Sequence, residues 1–341
     1  MSAPLRRLTG RLLACFVVLW ALDVSLERRR DSRRLADSTF HALAGEGAPS
    51  LGEVGKMELR LPGSDESWAY VRRPDGWHLP AYREAFALGE PLDGLARALL
   101  EGRGTVVGPM PGQAAHFGFE PGRILEARLY DTSDRLLLEA RAGATVPGQR
   151  SDECYLSVAG GESIFQWSPN AWTYVGTPGN PPFLDPRVIP AALGRHVPLK
   201  AVVGGSAAGA VLEIVRKEAP PERLPRDHPL SPLDPFEWYA ITAGGTKRLG
   251  DRAVYEYLHT IASLTFDGLL GDLRGHEHLF SEPGLTLTLE YDDGAKDTLS
   301  LGARDPRGFR WLLNATTGQV FAVREEKAGS LTPDLVALLQ R

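Results

Sequence analysis

The second half of this chain repeats its first, and no other feature constrains the fold as much. Glu120-Pro121-Gly122 recurs 162 residues later as Glu282-Pro283-Gly284. At the same spacing His116 falls on His278 and Asp131 on Asp293. The apolar helix face Leu92, Leu95, Ala96, Leu99 falls on Val254, Tyr257, Leu258, Ile261. A tripeptide match alone is noise. One register shared by a helix, a turn and a strand predicts a duplicated domain, and 341 residues suffice for two domains with cores of their own.

Each copy reads as strands, one helix and an antiparallel meander. In the first, residues 57–61 and 67–71 alternate apolar and polar, and residues 77–79 follow the Pro74-Asp75-Gly76 turn as a third strand. A helix over 92–100 is stopped by Gly102 and Gly104. Strands at 124–130 and 135–140 flank Asp131-Thr132-Ser133-Asp134, and strands at 154–158 and 163–167 flank Gly160-Gly161. The second copy places 210–216 on the first strand, 238–241 on the Trp77 strand and a helix at 254–264. Strands at 285–291, 298–301, 309–313 and 319–323 complete it.

The expected fold class is therefore α+β: two tandem homologous modules, each an antiparallel sheet with one main helix, behind an N-terminal membrane-anchor helix. The expected division is a tail and anchor over 1–34, a stalk over 35–56, a first module over 57–168, a Pro/Gly-rich connector over 169–208 and a second module over 209–341.

The anchor is read from residues 12–22, LLACFVVLWAL, which with outer limits at Leu8 and Leu26 approaches the length of a bilayer span. No small-residue cleavage site follows, and Arg11 stands too close to Cys15 for a lipoprotein signal, so an uncleaved anchor is expected. Residues 1–34 carry a net charge of +5, leaving about −10 on the body. An acidic body is a poor match to nucleic acid, whereas a basic end suits a lipid surface. Taken literally, the arginines after the apolar run favour a cytoplasmic body.

A resemblance enters at Gly76-Trp77-His78-Leu79-Pro80 and His116-Phe117-Gly118-Phe119-Glu120. With a short anchor and duplicated modules, the chain resembles the uncharacterised bacterial domain family encoded beside gliding-motility-type ABC transporters. The resemblance is clearest over 57–140 and weaker over 210–323. It implies a body outside the cytoplasm on a single anchor in the bacterial inner membrane, with a partner in an envelope or transporter complex. It carries no catalytic residues.

Candidate chemistry is sparse. His276-Glu277-His278 with Glu282 is the sharpest metal-like cluster, since imidazoles two apart on a strand share a face, but the segment reads as a loop entering the Glu282-Pro283-Gly284 turn. The first copy has Ala114 where His276 stands, so the site would belong to one copy alone. The turns Asp292-Asp293-Gly294 and 131–134 read as hairpins rather than acid/base pairs. Residues 204–209 lack the lysine of a phosphate cradle, and no G-x-S-x-G elbow occurs. Trp77, Trp167, Trp238 and Trp311 read as core aromatics and Cys154 as a small buried hydrophobe. The leading expectation is a membrane-anchored, non-enzymatic scaffold or interaction protein with no cofactor and no catalytic or metal residues. The rivals are a metal-dependent envelope hydrolase using His276, His278 and Glu282, and a cytoplasmic-facing membrane adaptor.

Overall fold

The computed structural model describes residues 40–45, 47–63, 66–148, 152–159, 161–175, 181–194, 198–205, 211–218 and 236–339. The first module holds β1 (His41–Ala42), β2 (Lys56–Arg60), β3 (Ser67–Arg73), β4 (Gly76–Leu79), β5 (Ala85–Phe86) and helix α1 (Gly89–Glu101). β6 (Arg103–Pro109), β7 (Leu125–Tyr130), β8 (Leu136–Thr145), β9 (Cys154–Val158), β10 (Ser163–Trp167) and α2 (Ala171–Val175) follow. The second holds β11 (Lys200–Gly204), β12 (Leu212–Glu218), β13 (Phe236–Thr242), β14 (Gly245–Arg248) and α3 (Asp251–Ala262). After these come β15 (Gly268–Asp272), β16 (Leu285–Glu290), β17 (Lys296–Arg304), β18 (Phe309–Asn314), β19 (Gln319–Arg324), α4 (Glu325–Gly329) and α5 (Leu335–Leu338).

The first sheet runs β1-β6-β10-β9-β8-β7-β2-β3-β4-β5, and the second, read from its inner end, β15-β19-β18-β17-β16-β11-β12-β13-β14. Without β1 the two orders are the same, strand for strand. Individual hydrogen bonds repeat as well: Arg72 N–H donates to Gly55 O and Arg216 N–H to Leu199 O, both at 2.8 Å. Strict alternation drives the strands together, with Leu125, Ala127 and Leu129 buried in one copy and Leu285, Leu287 and Leu289 in the other. Each main helix lays its apolar stripe on one face of its sheet. Leu92, Leu95, Ala96 and Leu99 pack with Met57, Leu59 and Trp77; Val254, Tyr257, Leu258 and Ile261 pack with Ala201, Ile214 and Trp238. Glu90 and Asp251 in the first turns complement the helix dipoles.

The register is not a constant 162. Lys56 faces Tyr130 in the first sheet and Lys200 faces Glu290 in the second, so the meander is offset by 160. Two residues are missing from the second copy between the Glu-Pro-Gly turn and its strand. The structural counterpart of Asp131 is Tyr291, each donating its N–H to the carbonyl four residues on at 3.0 Å; the match of Asp131 to Asp293 is a coincidence. Of the segment read as the first strand, residues 212–216 fall on β12, the second strand. The first is β11, a short apolar run hidden among prolines, paired with β12 and β16. β6 and β15, which follow each helix, complete the sheets.

Residues 183–188 form a strap hydrogen-bonded to both modules. Towards the first, Leu88 N–H donates to Phe183 O (2.8 Å) and Asp185 N–H to Phe86 O (2.9 Å). Towards the second, Phe266 N–H donates to Pro186 O and Val188 N–H to Leu264 O, both at 2.9 Å. Val188 and Ile189 are buried in the second core while Phe183 packs on the first. Asp185, 2% exposed, accepts from the Arg187 guanidinium and from Ala191 N–H, which fixes the bend after the strap.

The expected anchor over residues 1–34 lies outside the described residues. Among the described residues no helix is long and apolar enough to cross a membrane. The main helices have 13 and 12 residues, about 20 Å at 1.5 Å per residue against about 30 Å of hydrocarbon. The fold class is thereby corrected to two sheet-and-helix modules, with no anchor helix among the described residues. The expectations that rested on the anchor are withdrawn with it: the lipid-bilayer partner, the single-pass inner-membrane location, the periplasmic body and the membrane-anchored scaffold.

Candidate binding cleft between the modules

The first copy carries a loop that the second lacks. β13 and β14 are joined by Ala243-Gly244 alone, whereas β4 and β5 are separated by residues 80–84, a turn of 3-10 helix over Pro80–Tyr82 followed by Arg83 and Glu84. Arg83 (φ 55°) and Glu84 (φ 58°) both occupy the left-handed region, at a cost on the order of 1–2 kcal/mol each for side-chain-bearing residues. Contacts across the modules hold them there. The Arg83 guanidinium donates to Leu269 O at 2.5 Å, and Gln319 Nε2 donates to Glu84 O at 2.9 Å. Tyr82 packs against both cores. On the facing side β15 bulges between Leu269 and Gly271, and Gly271 (φ 106°) supplies the backbone conformation this needs.

Beside this loop lies a cleft of about 790 Å³. The first module lines it with Arg73, Asp75, His78, Arg83, Glu84 and Phe86, the connector with Leu193, and the second module with Leu270, Gly271, Asp272, Thr316, Thr317 and Gln319. Most of its polar groups are already paired: Arg73 with Glu84 at 2.7 Å, His78 with Asp75 at 2.9 Å, and Asp272 with Arg274 at 3.1 Å. Arg83 has no carboxylate partner among the described residues. It gives one donor to Leu269 O, and its fork holds five N–H groups.

This chemistry suits binding better than turnover. His78 is buried, with Nε2 2.9 Å from Asp75 Oδ1 and Nδ1 3.2 Å from Glu84 O. Both ring nitrogens lie against oxygen atoms of the protein itself. The Thr316 hydroxyl donates to Lys296 O on the adjacent strand β17, and the Thr317 hydroxyl donates back into its own turn, to Asn314 O. The lining has no serine or cysteine. Cys154 lies elsewhere, in the first core, where burial pushes its thiol up to about 11 and keeps it protonated.

The residues singled out in the sequence lie apart from the cleft. His276 and His278 sit in and beside the 3-10 turn Glu277–Phe280, and Glu282 follows on the exposed turn. Among the described residues no three His, Cys, Asp or Glu side chains are grouped to hold a metal ion. The metal-hydrolase alternative on His276, His278 and Glu282 is thereby corrected: the segment forms a 3-10 turn, which does not align the imidazoles. Asp131 accepts the N–H groups of Ser133 and Arg135, and Asp293 that of Ala295, so both carboxylates shape hairpins. Trp77, Trp167 and Trp238 are buried, Trp311 only partly. The cleft residues escape a motif search because separate segments at 73–78, 83–86, 193, 270–272 and 316–319 supply them. The one signal that points there is the insertion at 80–84, visible when the two copies are aligned. Comparison with protein-family models, with curated proteins and with solved structures finds no match to this chain.

Proposed function

We propose that this chain is a non-catalytic binding protein whose inter-module cleft receives a small polar ligand or the polar segment of a partner. The observation that carries this reading is the Arg83 guanidinium, without a carboxylate partner among the described residues and set at the junction by two residues in the left-handed region. Module junctions are common ligand sites, and backbone strain gathers where geometry is needed for function. The resemblance to the uncharacterised bacterial domain family belongs to this proposal as well. Its Gly76–Pro80 motif leads into the inserted loop, and its His116–Glu120 motif lies in the turn before β7. The test is amide NMR of the ¹⁵N-labelled protein with acetate, ethylammonium, free amino acids and monosaccharides as probes. Shifts confined to residues 83–86, 270–272 and 316–319, and weakened in Arg83→Gln, are expected. Shifts that gather on another surface, or none at millimolar probe, refute the reading.

A further inference from the structure

The junction inside the chain is half-built again at each outer end. In the first module the strap's counterpart is β1. His41 and Ala42 face Gly104 and Arg103, and Leu43 N–H donates to Gly102 O. In the same register Pro186, Arg187 and Val188 meet Phe266, Thr265 and Leu264. Asp185, one residue earlier, reaches across to Phe86 O of the neighbouring module. The counterpart of Asp185 is Phe40, which has no module beside it among the described residues and is 54% exposed.

The other end is complementary. Leu249 N–H donates to Trp238 O at 2.9 Å, as Ala87 N–H donates to Trp77 O at 2.8 Å, so Arg248 is the counterpart of Phe86. Arg248 faces Tyr239 in the non-hydrogen-bonded position, so its own N–H and C=O point out of the sheet edge. The neighbouring position is already filled. Gly250 N–H donates to Leu338 O at 2.8 Å, where Leu88 N–H donates to Phe183 O at 2.8 Å. Helix α5 therefore stands where a strap would begin, and it turns Leu335 (40%), Val336 (72%) and Leu339 (37%) to solvent.

We propose that a second copy of this chain completes the set, docking head to tail. Phe40 N–H of one copy meets Arg248 O of the next, and the phenyl ring covers Leu335, Val336 and Leu339. The contact continues an interface the chain already makes within itself, with unlike surfaces on the two sides. Such a heterologous contact does not close on two copies and builds open rows unless a rotation closes a ring.

The test is sedimentation equilibrium of the full chain over a wide concentration range, with Phe40→Asp as a blocked head and Val336→Asp as a blocked tail. Both side chains are exposed, and a thermal melt of each variant checks its fold; Phe40→Lys and Leu335→Asp replace any variant that melts early. The wild type is expected to rise in mass with concentration past the dimer, while each variant alone keeps the monomer mass. Mixed in equal amounts, the two variants are expected to form a dimer and stop, because one intact head then meets one intact tail. A wild type that stays monomeric overturns the proposal, as does a mixture that forms no dimer. Association that survives in both variants assigns it to another surface, the apolar 12–22 run included, and also overturns it.

Discussion

Replacing Asn314 by alanine removes the side chain that ties the second sheet to the strap. Asn314 is fully buried; its Nδ2 donates to Val188 O at 2.9 Å, and its Oδ1 accepts from Thr316 N–H at 3.0 Å and Thr317 N–H at 3.3 Å. The three bonds are unequal. Val188 is buried with 0% exposure, so its carbonyl loses a partner that water cannot replace, at about 1–3 kcal/mol. Thr316 and Thr317 lie on an exposed turn, where their N–H groups rehydrate and together forfeit about 1 kcal/mol. The expected loss is therefore about 2–4 kcal/mol, a large share of a typical domain stability of about 5–15 kcal/mol. Urea unfolding followed by tryptophan fluorescence measures it. Asn314→Asp separates the two contributions: it keeps the turn bonds, yet sets an acceptor against Val188 O and buries a charge, so at neutral pH it is expected to cost no less than alanine. A loss within about 0.5 kcal/mol of zero for both variants would refute the role given to this side chain.

Two further outcomes follow from the described geometry. Gly302→Ala places a Cβ 2.3 Å from Leu279 O and 2.7 Å from the Phe280 ring, and the counterpart Gly143→Ala places one 2.4 Å from Phe117 O. Each is expected to lose about 1–3 kcal/mol from overpacking, and an unchanged melting temperature in either would contradict the backbone approach seen in both copies. At Asp267 burial pushes the carboxyl up, but the Lys327 ammonium and the Arg324 N–H and guanidinium outweigh it and hold the group below the usual carboxylate range. A depressed folded value contributes stability above the unfolded value of about 3.9 and loses it as pH falls through the folded one. Asp267→Asn should therefore narrow the gap in stability between pH 6 and pH 3, and an unaltered gap would mean the carboxylate is not held this way.

How much of this was legible in the sequence depends on how local the cause is. The main helices show because Leu92, Leu95, Ala96, Leu99 and their counterparts keep helical spacing on one face, which no neighbour needs to complete. The meander strands show for the same reason at period two. β11 does not, because five residues between Pro198 and Gly204 read as part of a proline-rich run until β12 and β16 are placed on either side. β6 and β15 are hidden by glycines, which interrupt the apolar alternation: Gly104, read as a helix stop, and Gly108 in one, and Gly268 and Gly271 in the other. Of the cleft only the insertion at 80–84 was legible, since Arg83 gains its meaning only when Leu269, 186 residues away, is beside it. The rival reading on the histidines fails because spacing that would align imidazoles on a strand does not align them on a 3-10 turn.

The strap also decides where this chain can be cut. By its register it is the edge strand of the second module, yet Phe183 covers the core of the first. A fragment that ends before it leaves Leu88 N–H and Phe86 O without their partners; a fragment that begins after it leaves Leu264 O and Phe266 N–H without theirs. Neither half of the molecule can be prepared with both its sheet edges intact unless residues 183–188 are present in each. Limited proteolysis of this chain is thus expected to release the two halves only as a nicked pair, held together until denaturant separates them.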